Sequence, residues 1–223
     1  MRAAKLSLLL VFLSAPALGA QAKSSSPGRT SVALYARLMA MTDARTFDHA
    51  LIDSALASSW GALRAAAALA IGQVGPAHGM PGVPILRDLL VDRDLTVASN
   101  AAYALGLLRD SLSVQHLASA LNGPSRVARE AAWALGEIGA PARVAITSAL
   151  ASPVTDESRT IQLLLAAAKL KPVPVAEVRR YLLPNNRPSV TWAASYAIAR
   201  TRAAGGVRDL ILLAGQPALM QAT

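Results

Sequence analysis

Five segments of the chain spell nearly the same pattern. Ala67–Gly75 reads AALAIGQVG, Ala101–Arg109 AAYALGLLR, Ala131–Gly139 AAWALGEIG, Leu163–Lys171 LLLAAAKLK and Ala194–Arg202 ASYAIARTR, with starts separated by 34, 30, 32 and 31 residues. A period of this length marks a helical solenoid, in which each unit is too small to bury an apolar face alone and buries it against its neighbours. The repeats are rich in Ala, the strongest helix former, and small apolar side chains suit helices that stack closely. No stretch alternates with period two, so no strands are expected.

Residues 1–22 stand outside the repeat and have the form of a signal peptide. Arg2 and Lys5 precede an apolar run from Leu6 to Leu13, and Ala20-Gln21-Ala22 offers a small-x-small cleavage pattern, with a second candidate cut after Gly19. The run is shorter than the roughly twenty residues needed to span a bilayer. Export to the periplasm or beyond is the expectation, with no integral membrane segment once this leader is removed. Residues 23–31 contain KSSSPGRT and are expected to form a flexible leader. Residues 32–223 form the repeat array.

Within the array shorter and longer helices are expected to alternate. The shorter ones fall near 49–57, 83–91, 113–121, 143–151, 175–183 and 207–214, the longer ones near 60–74, 96–108, 126–138, 157–170 and 189–202. Residues 32–41 read as a further short helix. Asp94, Ser125 and Ser189 stand where N-caps belong, and Gly75-Pro76, Ala140-Pro141 and Lys171-Pro172 stop the longer helices. A sixth long helix would centre near residue 225, past Thr223. The array therefore reads as incomplete at its C-terminal end, with Leu210-Ile211-Leu212-Leu213 left to self-associate or to meet a missing unit.

These residues resemble the HEAT repeats, specifically the short type named after phycobilisome lyases. Leu63-Arg64 ahead of AALAIG and Val127 ahead of AAWALG carry the likeness; the Arg position becomes Ala98, Ala128 and Thr191 elsewhere, and repeat four has Ala168 in place of Gly. The resemblance implies an all-α, right-handed solenoid of about six helix pairs, with the longer helices on the inner face where partners dock. A looser resemblance, through Asp43-Ala44-Arg45 and Phe47-Asp48 with the repeats themselves, is to the helical arm of exported bacterial cyclophilin-type peptidyl-prolyl isomerases. It implies, as an alternative, the recognition arm of an isomerase whose barrel domain is absent here.

Little in the sequence specifies a reaction. There is no Cys, which removes disulfides, thiolate catalysis and cysteine–zinc clusters. His49, His78 and His116 are each followed by a residue other than Glu, so the His-Glu pairs of the di-iron hydroxylases that resemble this fold are missing, and no metal or cofactor is expected. No Gly-x-Ser-x-Gly elbow occurs, and the Gly-rich stretch 72–82 follows a helix, reading as an enlarged turn rather than a phosphate loop. An exported protein offers no obvious phycobiliprotein partner, so the lyase activity is set aside. The sequence-level expectation is a chain without catalysis.

Two features remain as candidates for function. Leu69, Tyr103, Trp133, Leu165 and Tyr196 share one repeat position and are expected to form a column buried in the seam between repeats, with Trp60 and Trp192 freer to face a groove. The net charge is +9, and residues 111–223 carry twelve Lys and Arg against six acids. Repeat alignment puts Lys169 and Arg200 at one position and Arg109, Lys171 and Arg202 at another, with stacking bringing Lys171 within roughly 10 Å of Arg202. With Arg179, Arg180 and Arg187 between them in sequence, these eight cations form a candidate basic edge. Its expected occupant is another protein with an acidic segment, export making nucleic acid an unsuitable partner.

Overall fold

The computed structural model describes residues 28–79, 81–152, 156–183, 185–202 and 204–214. The signal-peptide reading of residues 1–22 and the tail beyond Ala214 lie outside them. Among the described residues every regular element is helical. The long row is α1 (Arg29–Asp43), α3 (Gly61–Val74), α5 (Leu95–Leu108), α7 (Ser125–Ile138), α9 (Glu157–Ala167) and α11 (Pro188–Thr201). Between them run the short helices α2 (His49–Leu56), α4 (Val83–Leu89), α6 (Val114–Ala120), α8 (Arg143–Ala151), α10 (Val175–Arg179) and α12 (Ala204–Ala214). The chain is an all-α solenoid. Five complete short–long pairs are flanked by α1 and α12, so α1 belongs to the long row and is not the short helix expected at 32–41. Its first turn takes in Arg29–Ser31, the end of the segment expected to be a leader.

The long helices stack directly on one another because the repeat position after Leu or Ile is glycine. A Cβ on Gly72 would lie 2.6 Å from the Ala104 Cα, one on Gly106 2.8 Å from the Ala134 Cα, and one on Gly136 2.9 Å from the Ala166 Cα. Each glycine of one repeat thus seats against the fourth residue of the next repeat's pattern, backbone to backbone. The seam is completed by Ala67, Ala101 and Ala131 with Ile71, Leu105 and Leu135, all fully buried. From the other side Ile52, Leu86, Leu117, Ile146 and Val178 of the short helices close the core.

Polar cross-links tie successive joints. The Arg64 guanidinium, only 6% exposed, donates to both Asp92 carboxylate oxygens at 2.9 and 3.1 Å and to the Ser58 and Ser59 carbonyls at 3.0 and 3.3 Å. Asp92 also accepts from the Asp94 backbone N–H, and Asp94 caps α5 by accepting from the Thr96 N–H. One joint later Arg87 donates to Asp110 at 2.6 Å and to the Ser113 hydroxyl, which itself bonds Asp110. Asn100 donates across the stack to the Ala65 carbonyl. Two expected caps act otherwise. Ser125 lies inside α7, after Pro124, where it helps to lower the pKa of Asp156; Ser189 lies inside α11, after Pro188, and its hydroxyl bonds Glu157.

Four carboxyls are held below their ordinary range: Asp92 by the hydrogen bonds from Arg64, Glu137 by those from Lys169, Asp156 by that from Ser125, and Asp110, which burial pushes up, by the overriding hydrogen bonds from Arg87 and Ser113. A carboxyl depressed in the folded state stabilises it fully above the unfolded-state pKa and stops doing so as pH falls through the folded-state value. Thermal melts are therefore expected to be flat from pH 7 to 5 and to drop steeply below about pH 4, where unfolded Asp and Glu take up protons. A midpoint unchanged between pH 5 and pH 3 contradicts this.

Candidate functional site

The repeat that closes the seam also decides where the large rings go. Where Gly and Ala bring the helix backbones together, the rings sit at the rim of the seam, and a Cβ on Gly106 would meet the Trp133 ring at 2.6 Å. Tyr103, Trp133 and Tyr196, with Leu69 and Leu165, are half-buried on the outer surface of the long row and not in the core as expected. Tyr103 and Trp133 stack with centroids 4.4 Å apart and planes at 22°, while Trp192, 61% exposed, stacks on Tyr196 at 5.5 Å and 14°. Trp60 is partly buried and packs on Tyr35, centroids 5.9 Å apart.

Cations interleave with these rings. The Lys169 ammonium lies 5.7 Å from the Trp133 ring centre and bonds Glu137; the Arg200 guanidinium lies 5.8 Å from the Tyr196 ring and donates to its hydroxyl. Arg109 donates to the same Glu137 at 3.3 Å. A hollow of about 330 Å³ between α7, α9 and α11 is lined by Trp133, Gln162, Leu165, Lys169, Tyr196 and Arg200. A second of about 740 Å³ lies beside it, against Lys169, Lys171, Pro172, Val173, Val175 and Arg200. Lys169 and Arg200 front both.

The eight cations of the expected edge are thus divided. Arg109, Lys169, Lys171, Arg200 and Arg202 gather at the C-terminal ends of the long helices. Arg109 and Arg202 occupy the left-handed C-cap positions of α5 and α11, with φ of 52° and 49°. Among the described residues Lys171 and Arg202 form no ion pair, and Glu137 is the one carboxylate bonded to the group. Arg179 and Arg180 belong to the short row. Arg179 binds Asp209 and the Gly205 carbonyl, and Arg180 caps α8 through the Leu150 and Ala151 carbonyls. Arg187 precedes α11 and pairs with Glu157 at 2.8 Å, thirteen residues and so about 20 Å of helix away from Arg200.

No group of three or more His, Asp or Glu is placed to hold a metal among the described residues. His78 lies on the 3₁₀ turn Gly75–His78, its Nε2 2.8 Å from the Arg45 carbonyl oxygen. No described helix is long and apolar enough to cross a membrane.

With this geometry in view, residues 49–136 match the family model of HEAT repeats, and residues 127–152 match that of the PBS lyase HEAT-like repeat. This stretch is built of HEAT repeats. The curated proteins contain no match to the chain. Among solved structures, an engineered protein is 20% identical over 80% of this chain and 85% of its own, with a TM-score of 0.50, a likeness of fold. The complex of CpcE and CpcF of phycocyanin lyase from Nostoc sp. PCC7120 is 21% identical over 87% of this chain and 85% of that one, with a TM-score of 0.49. Human deoxyhypusine hydroxylase in complex with glycerol is 15% identical over 84% and 93%, with a TM-score of 0.35.

The HEAT assignment corrects one expectation. A chain without catalysis was inferred from the lack of motifs, and lyase activity was set aside with it. Residues 127–152 match a repeat model named after a lyase, so the inference of a non-enzymatic chain does not stand. Solenoid enzymes of this kind need none of the compact motifs on which the exclusion relied, because the fold does not determine the chemistry grafted onto it.

Proposed function

We propose that this HEAT array is a scaffold that holds an acidic segment of another protein against the outer face of its long helices. The observation that carries the reading is the grouping of Arg109, Lys169, Lys171, Arg200 and Arg202 at the long-helix ends, with Glu137 the one carboxylate bonded to them among the described residues, beside the exposed Trp192 ring stacked on Tyr196. Uncompensated cations attract an acidic chain over a distance set by ionic strength. Aromatic faces with a bound cation give that chain's apolar side chains a flat surface to cover. The reading includes action outside the cytoplasm, which rests on the leader-like pattern of residues 1–22.

Lys171 and Arg202 are suited to the test because neither is paired within the described fold. The double variant Lys171→Glu with Arg202→Glu is expected to melt like the parent. Its binding to a labelled glutamate-rich peptide should weaken by about tenfold at low salt, a difference that shrinks as added salt screens the charges. Equal binding of parent and double variant at low salt rejects the acidic-partner reading.

A further inference from the structure

Four residues before each repeat's starting position the chain places Leu63, Val97, Val127, Arg159 and Val190. Four of these are apolar and buried in the seam. In the fourth repeat the position holds an arginine. Its side chain enters a cavity of about 610 Å³ between the short helices α6 and α8, whose floor is Arg159 and Leu163 of α9. The lining is mixed: Val114, Leu121, Val144 and Ala149 are apolar, while Gln115, Asn122, Ser148 and Ser152 carry neutral polar groups.

The guanidinium is not satisfied by the fold. One terminal nitrogen donates to the Leu121 carbonyl, but Nε is buried without a hydrogen-bond partner. No carboxylate oxygen among the described residues lies within 4.0 Å of it, in contrast to Arg64 and Arg87, which have Asp92 and Asp110. Asp156, the cap of α9, spends one carboxylate oxygen on the Arg159 backbone N–H. At the following joint the corresponding end of α8 is closed by Arg180 and by the buried Tyr181 hydroxyl, which binds the Leu150 carbonyl at 2.8 Å. At the α6–α8 gap the equivalent bond is the one from Arg159 to the Leu121 carbonyl, and no aromatic side chain among the described residues lines the space.

An unpaired arginine at an apolar position costs stability that valine would not. The cavity volume is within the range of small-ligand sites, which are mostly apolar with a few placed polar groups. We infer that the α6–α8 cavity is a binding site for an apolar monocarboxylate, its carboxylate received by the Arg159 guanidinium and its apolar body by Val114, Leu121, Val144 and Ala149. One guanidinium supplies one charge, which suits a carboxylate better than a dianionic phosphate. Two sources share this chemistry, a free aliphatic acid and the C-terminal carboxylate of a peptide ending in an apolar residue.

The full chain is titrated with decanoate, with decanol, with a short peptide ending in a free leucine carboxylate, and with its C-terminal amide. Binding is read by calorimetry and by the Arg159 Nε–H resonance. Arg159→Val, which restores the residue of the other repeats, is expected to fold and to melt higher than the parent. Decanoate binding that weakens at least tenfold in Arg159→Val and is absent for decanol supports a free acid as ligand. Binding of the carboxylate peptide but not its amide, lost in the same variant, supports a chain terminus. The inference is overturned if neither carboxylate binds the parent, if decanol and the amide bind as well as the acids, or if Arg159→Val binds them undiminished. The long-helix cations are untouched in this variant, so its outcome is independent of the acidic-partner reading.

Discussion

Replacing Asp92 by alanine is expected to lower stability by about 3–5 kcal/mol, the usual consequence of stranding one member of a buried ion pair. For a chain of this size that corresponds to a fall in melting temperature on the order of 10 °C. The size follows from what Arg64 would lose. Its guanidinium is buried between α3 and the loop before α5, both Asp92 oxygens face it, and its remaining described partners are the Ser58 and Ser59 carbonyls. Without Asp92 the positive charge loses its hydrogen-bonded anion and keeps only the more distant influence of Asp94. Arg64→Leu combined with Asp92→Asn removes the charge and the counter-charge together. It also keeps an acceptor for the Asp94 N–H, so most of the loss should be recovered. Melts of the single and double variants check this directly. A single variant that melts within 1–2 °C of the parent, roughly the shift left by a surface substitution, rules out the pair as a structural tie.

The second large effect is expected at the glycines of the seam. A methyl group added at Gly72 meets the Ala104 Cα at 2.6 Å, and backbone cannot swing aside as a side-chain tip can. α3 and α5 must separate, opening the packing of the alanines on both sides, at about 2 kcal/mol and so about 4–8 °C in melting temperature. Gly139→Ala provides the contrast. Nothing lies within 4 Å of that Cβ, and any cost comes only from the positive φ of 76°. If Gly72→Ala leaves both the melt and the compactness seen by small-angle scattering unchanged, the close approach of the long helices is not what holds the stack.

The repeat period and the Ala-x-Ala-Leu-Gly core were readable because both are local patterns, repeated with little change. What was misplaced depends on three dimensions. The aromatic column had the correct period and lies at the rim of the seam, with the Trp133 ring over Gly106, but its rings are half-buried rather than enclosed. Arg179, Arg180 and Arg187 lie close in sequence to Lys171 and Arg202, yet a helix length and a change of row separate them. Ser125 and Ser189 have the composition of caps, but a preceding proline in each case takes the start of the helix, and the Ser189 hydroxyl goes to Glu157 of the previous repeat. Arg159 left a signal that was available: one cation in a column of Leu and Val, visible when the repeats are aligned a few residues further upstream.

The backbone-to-backbone seating of the long helices also sets a ruler. Neighbouring helix axes lie roughly 8–10 Å apart in such packing, whereas an extended polypeptide advances about 3.3 Å per residue. A chain laid along the row in the polyproline II conformation, with three residues per turn and a rise of about 3.1 Å each, would thus bring one side of itself to each helix end about every third residue. The pattern to look for in a bound chain is an acid recurring with that three-residue beat, a cadence that neither an α-helix nor a two-sided β-ribbon can supply.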